Sequence, residues 1–288
     1  MKLTLGTAQF GLDYGVANAI GQVDKDETIK ILTFAKQEGI DTLDTAIEYG
    51  DSEKRLGQAG IGSWNIITKL PEARVEHSDI NYWVNSQINN SLLRLNVLSV
   101  YGILLHRPLQ LLEKNGPQLW NSLKGLKERS VVKKIGFSVY GPDELEKLWN
   151  ARFIPDIVQA PYNIFDQRLK DSGWLSKLND NKIEVHTRSV FLQGLLLMPS
   201  DKRPKYFSKW NNLFNEWDLW LKTDNISGLE AALNFALSEY LIDKIIVGVD
   251  NKTQLSEVIS ASKKYTLCVP KILNTTDEKL INPSLWDM

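Results

Sequence analysis

The sequence predicts a (β/α)8 barrel, a TIM barrel, forming one domain over residues 1–288. Three observations lead there. Short apolar runs alternate with amphipathic helical stretches from end to end, the pattern of a parallel sheet covered on both faces. There are about eight such runs, the number of strands in this barrel. No linker or low-complexity tract divides the 288 residues, a length close to that of a single α/β barrel. An open, doubly wound sheet fits the alternation less well, because no GxGxxG turn follows any strand.

The predicted strands are Leu3–Leu5, Thr42–Asp44, Asn65–Thr68, Val100–Leu105, Lys134–Ser138, Ile157–Ala160, Glu184–Arg188 and Lys244–Val247. Each is short and apolar, as buried parallel strands are. Helices fill the gaps. Asp24 and Glu27 form a capping-box start, Ile31, Leu32 and Ala35 give the buried stripe, and Gly39 ends the first helix. After the third strand, Ile80, Val84, Ile88, Leu92 and Leu95 recur at helical spacing. Pro142 suits a first helical turn. Ser227 with Glu230, and Asn251, are caps for the last two helices. Residues 206–221, "YFSKWNNLFNEWDLWL", read as an aromatic-rich insertion after the seventh strand. Phe207, Trp210, Phe214, Trp217 and Leu221 share one face, which predicts an extra helix buried on the barrel; a lid or an oligomer contact is the alternative. The ending "INPSLWDM" reads as a tail over the barrel edge.

Composition narrows the function. Lys+Arg is 34 and Asp+Glu is 35, a net charge of -1. No basic run points to nucleic acid or to an anionic membrane surface. No stretch approaches the roughly 20 apolar residues of a membrane span, and the N-terminus does not read as a signal peptide. Cys268 is the only cysteine, so there is neither an internal disulfide nor a Cys-based metal spacing. The expectation is a cytoplasmic protein, monomeric or a small homo-oligomer, acting on a small molecule.

In a parallel barrel the chemistry sits at the C-terminal ends of the strands. Strand two ends in Asp44, with Tyr49 on the following loop. Strand three ends at Lys69 and strand four at His106. Singly, a cap, a solvent-reaching lysine and a hydrogen-bonded histidine are ordinary. On consecutive strands they meet at one mouth. An ammonium beside a phenol favours the phenolate and lowers a pKa ordinarily near 10. A carboxylate behind the lysine keeps it charged, and a neutral histidine can orient a carbonyl oxygen. Such a set suits proton donation to a carbonyl while hydride reaches its carbon. No side chain supplies hydride, so a nicotinamide cofactor is implied.

The stretches "DTAIEYGDSE", "ITKL" and "LLHRP" resemble the aldo-keto reductase superfamily in order and separation. So do "LGTAQFG", "GFSVYGPDEL", "VQAPYNIFDQR", "RSVFLQGLL" and "IIVGVDNKTQLSEVI". The resemblance implies Asp44, Tyr49, Lys69 and His106 as a catalytic tetrad with Tyr49 the general acid/base. It implies Gly6, Thr7 and Asp44 beside the nicotinamide ribose, and Ser138 and Gln159 at its carboxamide. Ser189, Leu192 and Gly194 would follow the pyrophosphate. Gly248, Asn251, Lys252, Gln254 and Glu257 would take the adenosine end, where a helix N-terminus suits phosphate.

Two departures qualify the resemblance. Arg188 stands where the family commonly stacks an aromatic ring on the nicotinamide and is expected to bind the cofactor by lying flat against that ring; a pair with a rim carboxylate or a hold on an anionic substrate is the alternative. Gly248 and Gln254 stand where many relatives use cations for the 2′-phosphate of NADP, leaving Lys252 as the replacement. NADP(H) is the expected cofactor, with NAD(H) the competitor. The function implied is an oxidoreductase of an aldehyde, ketone or sugar carbonyl, and the bacterial subgroup it resembles suggests carbohydrate metabolism with a sugar or nucleotide-sugar substrate. Other readings are a cofactor-binding regulatory protein with little turnover, and an aldolase or isomerase using Lys69 as a Schiff base. No role is assigned to His77 or His186.

Overall fold

The structure, a computed structural model, describes residues 1–18, 20–73, 79–262 and 267–287. Eight parallel strands close in chain order: β1 Leu3–Gly6, β2 Thr42–Asp44, β3 Asn65–Leu70, β4 Val100–Leu105, β5 Val132–Ser138, β6 Ile157–Pro161, β7 Glu184–Arg188 and β8 Lys244–Gly248. β8 returns to β1 in the register Leu3↔Ile245 to Gly6↔Gly248. All eight strands lie on the predicted apolar runs. β3 continues through Lys69 to Leu70, because Lys69 pairs with Leu104 and Leu70 with Leu105 on β4. β5 begins two residues early, at Val132 opposite Val100.

Residues two apart on a strand share a face. Ile67, Leu104 and Ile157 form a small apolar cluster apart from the main core. Gly102 belongs with them, since a Cβ there would stand 2.7 Å from Ile67 Cδ1. Lys69, His106 and Gln159 each lie two residues beyond a member of this cluster, so the same alternation carries them towards the C-terminal mouth. Towards the other end of β7, Glu184 collects His186, Lys134 and Tyr101: its carboxylate lies 2.7 Å from His186 Nε2, accepts from Tyr101 Oη at 2.7 Å and pairs with Lys134. His186 therefore has a structural partner. His77 lies outside the described residues.

The helices start as their caps predict, with one change. Asp24 accepts from Glu27 N at 2.8 Å, but Glu27 does not complete the box. Its Oε1 accepts from Lys252 N at 2.7 Å instead, and its Oε2 meets Lys30 at 3.1 Å. The first barrel helix, Lys25–Gln37, is thereby tied to the last, Lys252–Ala261. Gly39, at φ +81°, turns the chain after the first helix. Ser227 and Glu230 form a reciprocal capping box. The aromatic insertion is a 3-10 turn, Lys205–Trp210, leading into the helix Asn211–Asp224. Phe207, Phe214 and Trp217 are buried. Phe165 packs on Phe214 and Trp217 at 5.6 and 6.0 Å, and Trp286 of the tail meets Phe207 at 4.9 Å. The insertion is thus a packed helix, as its apolar face predicts, and the tail seals it.

Candidate active site

Asp44, at the end of β2, is buried and fully engaged. Its Oδ1 accepts from Lys69 Nζ at 2.6 Å and its Oδ2 from Gln159 Nε2 at 2.6 Å. Lys69 Nζ also donates to Thr45 O at 2.9 Å. Burial draws the Lys69 pKa down, and the Asp44 carboxylate opposes that by favouring the ammonium. A buried ion pair this short is strongly destabilised when one partner is removed.

Tyr49 follows on the loop after β2. Lys69 Nζ stands 5.0 Å from the centre of its ring, and the His106 ring meets it edge-on at 5.8 Å. The loop is held by close backbone packing. A Cβ on Gly11 would lie 1.7 Å from Tyr49 O, and Gly50, at φ +48°, faces Gly11 O with the room only glycine leaves. Ser52 N donates to Tyr49 O at 2.9 Å. Ser52 Oγ bonds Thr7 O and Thr7 Oγ1, both at 2.9 Å, and Thr7 Oγ1 donates to Asp44 O. Beneath them, Glu53 is buried and accepts from Thr68, Ser91 and Arg94, pinning the helix that follows the loop. The phenol is therefore placed by the strand it follows, by β1 and by the next helix together.

The protonation states differ from the expected ones. The sequence reading has Lys69 lowering the Tyr49 pKa. Here desolvation at the cleft wall pushes the phenol up, the Asp44 carboxylate adds to the rise, and Arg188 opposes it. Burial decides the direction, and the Lys69 ammonium is at the same time hydrogen-bonded to Asp44. Tyr49 is consequently a protonated phenol, a proton donor rather than a ready base. His106 is drawn down to about 3 by burial, with Lys69, Arg107 and Arg188 adding to the effect. It is neutral near pH 7. Its Nδ1 lies 2.9 Å from Glu48 Oε2 without the alignment of a hydrogen bond.

That shift gives a prediction with a definite sign. An unfolded histidine takes up its proton near pH 6.5, and folded His106 does so only near pH 3. Between those values the unfolded chain binds more protons, so stability falls as the pH drops. His106→Gln should flatten the loss of urea stability from pH 7 to pH 5. An unchanged slope in the variant would show that His106 is not held neutral.

A cleft of about 380 Å³ runs from this mouth past β1 and β8. Gly6, Thr7, Asp44, Tyr49, Gln159, Arg188, Ser189, Gly194, Gly248, Gln254 and Glu257 all line it. Lys69 and His106 stand outside this lining, and so do four of the predicted cofactor residues. Ser138 adjoins Gln159 in register and is buried. Leu192 turns its side chain fully into the core. Asn251 spends its side chain capping Gln254 N at 2.9 Å. Lys252, the first residue inside that cap, leaves over the neighbouring helix, with Nζ 5.2 Å from the Phe34 ring. Among the described residues, Arg188 is the only cation lining the cleft.

The cleft is roofed by two loops. Ser189, Leu192, Gln193 and Gly194 all have positive φ, winding the segment after β7 back over the barrel end. Ala17 N donates to Gln193 O at 3.4 Å, and Gln193 Nε2 reaches Tyr14 Oη at 3.4 Å. Tyr14 was missed by sequence reading, although "GLDYG" places a phenol between two glycines just after β1. Tyr140 was missed too. It follows β5 directly and lies under the Arg188 guanidinium, 4.8 Å from Cζ to the ring centre.

The lining suits a nicotinamide dinucleotide. Gln159 Oε1 is buried without a partner, and an orphaned acceptor of this kind is costly unless a ligand N–H meets it. Gly248, which also lines the cleft, lets the Gln9 side chain pack directly on its backbone, since a Cβ there would stand 2.4 Å from Gln9 Nε2. Gln254 and Glu257, the third and sixth residues of a ten-residue helix, also line the cleft.

Comparison with known proteins agrees with this frame. Residues 2–273 match the profile of the Aldo/keto reductase family, and the chain belongs to that family. The fold is similar to the aldo-keto reductase AKR11C1 from Bacillus halodurans in its holo form, at 18% identity, with a TM-score of 0.73, covering 100% of this chain and 94% of that one. It is similar also to the glycerol dehydrogenase AKR11B4 from Gluconobacter oxydans, at 21% identity, a TM-score of 0.70, and 92% and 87% coverage. No curated protein matches the chain. Family membership implies an oxidoreductase that acts on small carbonyl compounds with a nicotinamide cofactor. Among the described residues no helix is long and apolar enough to cross a membrane.

Proposed function

We propose that the chain is a single-domain carbonyl reductase in which Tyr49 donates the proton. The observation that carries this reading is the buried Lys69–Asp44 pair at 2.6 Å, on which Gln159, Tyr49 and His106 converge. Reduced nicotinamide, when bound, supplies hydride to the carbonyl carbon. The protein supplies the rest. Tyr49, kept protonated by its surroundings, gives its proton to the carbonyl oxygen as the C–O bond becomes an alcohol. Neutral His106, beside the phenol, orients that oxygen. Asp44 holds Lys69, and Lys69 meets the phenolate charge as it forms. Gln159, with its free Oε1, and the Gly6–Thr7 turn hold the nicotinamide end; Ser189 to Gly194 and Gly248 hold the rest. A Schiff-base role for Lys69 fits poorly with an ammonium committed to Asp44 and Thr45 O.

The position of Lys252 moves the cofactor proposal from NADP(H) to NAD(H). Its ammonium sits on Phe34, while Asp250 and Glu257 line the far end of the cleft. A 2′-phosphate there would meet carboxylates and no cation, an unfavourable pairing at short range. The substrate class proposed is a sugar or nucleotide-sugar carbonyl, following the resemblance to a subgroup associated with surface-polysaccharide synthesis. Fluorescence titration should show NADH binding more tightly than NADPH, with Lys252→Ala affecting both little. Tighter NADPH binding that is lost in Lys252→Ala would reinstate the lysine and NADP(H).

A further inference from the structure

We propose that Arg188 binds an anionic group on the substrate, so that the carbonyl compound reduced here carries a phosphate. This rests on the reductase reading above and names the substrate class for the same site. Arg188 ends β7 and lines the cleft close to the tetrad. Its Nη2 donates to Val139 O at 3.1 Å and its Nη1 to Ser189 Oγ at 3.3 Å. Both partners are neutral. Arg94, Arg168 and Arg203 each meet a carboxylate within 4.0 Å. Among the described residues Arg188 meets none. Half-buried at the cleft wall, the guanidinium keeps its charge available to a ligand, and its planar fork matches phosphate oxygens.

The guanidinium is also held in place. Tyr140, whose ring lies beneath it, is fixed through its backbone on both sides. Tyr140 N donates to Glu144 Oε2 at 2.7 Å, and Tyr140 O accepts from Arg168 Nη2 at 3.0 Å. Arg107 approaches the same ring, with Cζ 5.9 Å from its centre. Two cations thus share one aromatic platform at the mouth. Of the carboxylates nearby, Glu144 has one oxygen on the Tyr140 amide, and Glu48 faces His106. The charge of Arg188 reaches the reacting end, where it lowers His106 and opposes the rise of Tyr49.

A phosphate here could belong to the substrate or to the cofactor, and the test separates them. With NADH, kcat/KM is measured for D-glyceraldehyde and D-glyceraldehyde 3-phosphate, in the wild type, Arg188→Lys and Arg188→Met. NADH dissociation constants are measured by fluorescence for each protein. The wild type should favour the phosphorylated aldehyde by about ten- to hundredfold, the scale of charge-assisted hydrogen bonds. Arg188→Met should bring the ratio close to one, through KM, and Arg188→Lys should retain part of it. Inorganic phosphate should compete with the phosphorylated aldehyde and not with NADH, a readout that needs no variant. Equal use of the two aldehydes by the wild type overturns the proposal. So does a preference that survives in Arg188→Met, or a loss in NADH binding as large as the loss in the ratio, which would give the guanidinium to the cofactor. Reduction of neither aldehyde by a protein that binds NADH would overturn this proposal, whereas the reductase reading falls only if a wider panel of aldehydes, ketones and sugar carbonyls also goes unreduced.

Discussion

Tyr49→Phe should lower the rate of carbonyl reduction by about 10²–10⁴-fold, the usual worth of a placed proton donor, while cofactor affinity stays close to that of the wild type. The substitution removes one oxygen and leaves the ring against His106. The loop should keep its path, because that path is set by Gly11, Gly50 and the bonds of Ser52 rather than by the hydroxyl. Steady-state reduction and NADH titration on the same sample check both halves. A variant that turns over near the wild-type rate would remove Tyr49 from the chemistry. One that loses cofactor binding as well would mean that the phenol supports the cleft instead.

Lys69→Met should cost about 10²-fold or more in rate and should also destabilise the fold. Asp44 would be left as a buried anion with its main partner gone, a change worth about 3–5 kcal/mol. The two effects can be separated. Adding Asp44→Asn to Lys69→Met removes the stranded charge, so urea stability should recover substantially while the rate stays low. Recovery of both would mean that the pair serves only to hold the barrel together. Retention of both rate and stability in Lys69→Met alone would remove the lysine from the account.

Much of this site is legible in the sequence because a barrel converts strand order into proximity. Asp44, Lys69 and His106 close three consecutive strands, and the fold brings consecutive strand ends to one rim. Gln159 is found by resemblance, and its bond to Asp44 explains why it sits there. Other features are set by packing that local pattern does not report. Glu27 has the spacing of a capping box, yet the neighbouring helix offers it Lys252 N. Lys252 has the right charge, yet the cap at Asn251 directs it onto Phe34. Tyr14 and Tyr140 lie on loops after strands, where the 2.0 and 3.6 periodicities are silent. The acidity of Tyr49 depends on how much water the cleft excludes and on where the Lys69 charge is spent. Both are tertiary facts, and the first, desolvation, is the larger cause of the reversed direction.

The central claim is that this site passes hydride from a nicotinamide to a carbonyl carbon with Tyr49 supplying the proton. The most direct test uses NADH deuterated at the transferring ring position, with an excess of aldehyde, and follows the product by mass spectrometry. The account predicts an alcohol with one deuterium on the former carbonyl carbon, formed at a rate that collapses in Tyr49→Phe. A protein that binds NADH yet yields no labelled alcohol from any aldehyde, ketone or sugar carbonyl offered would contradict it.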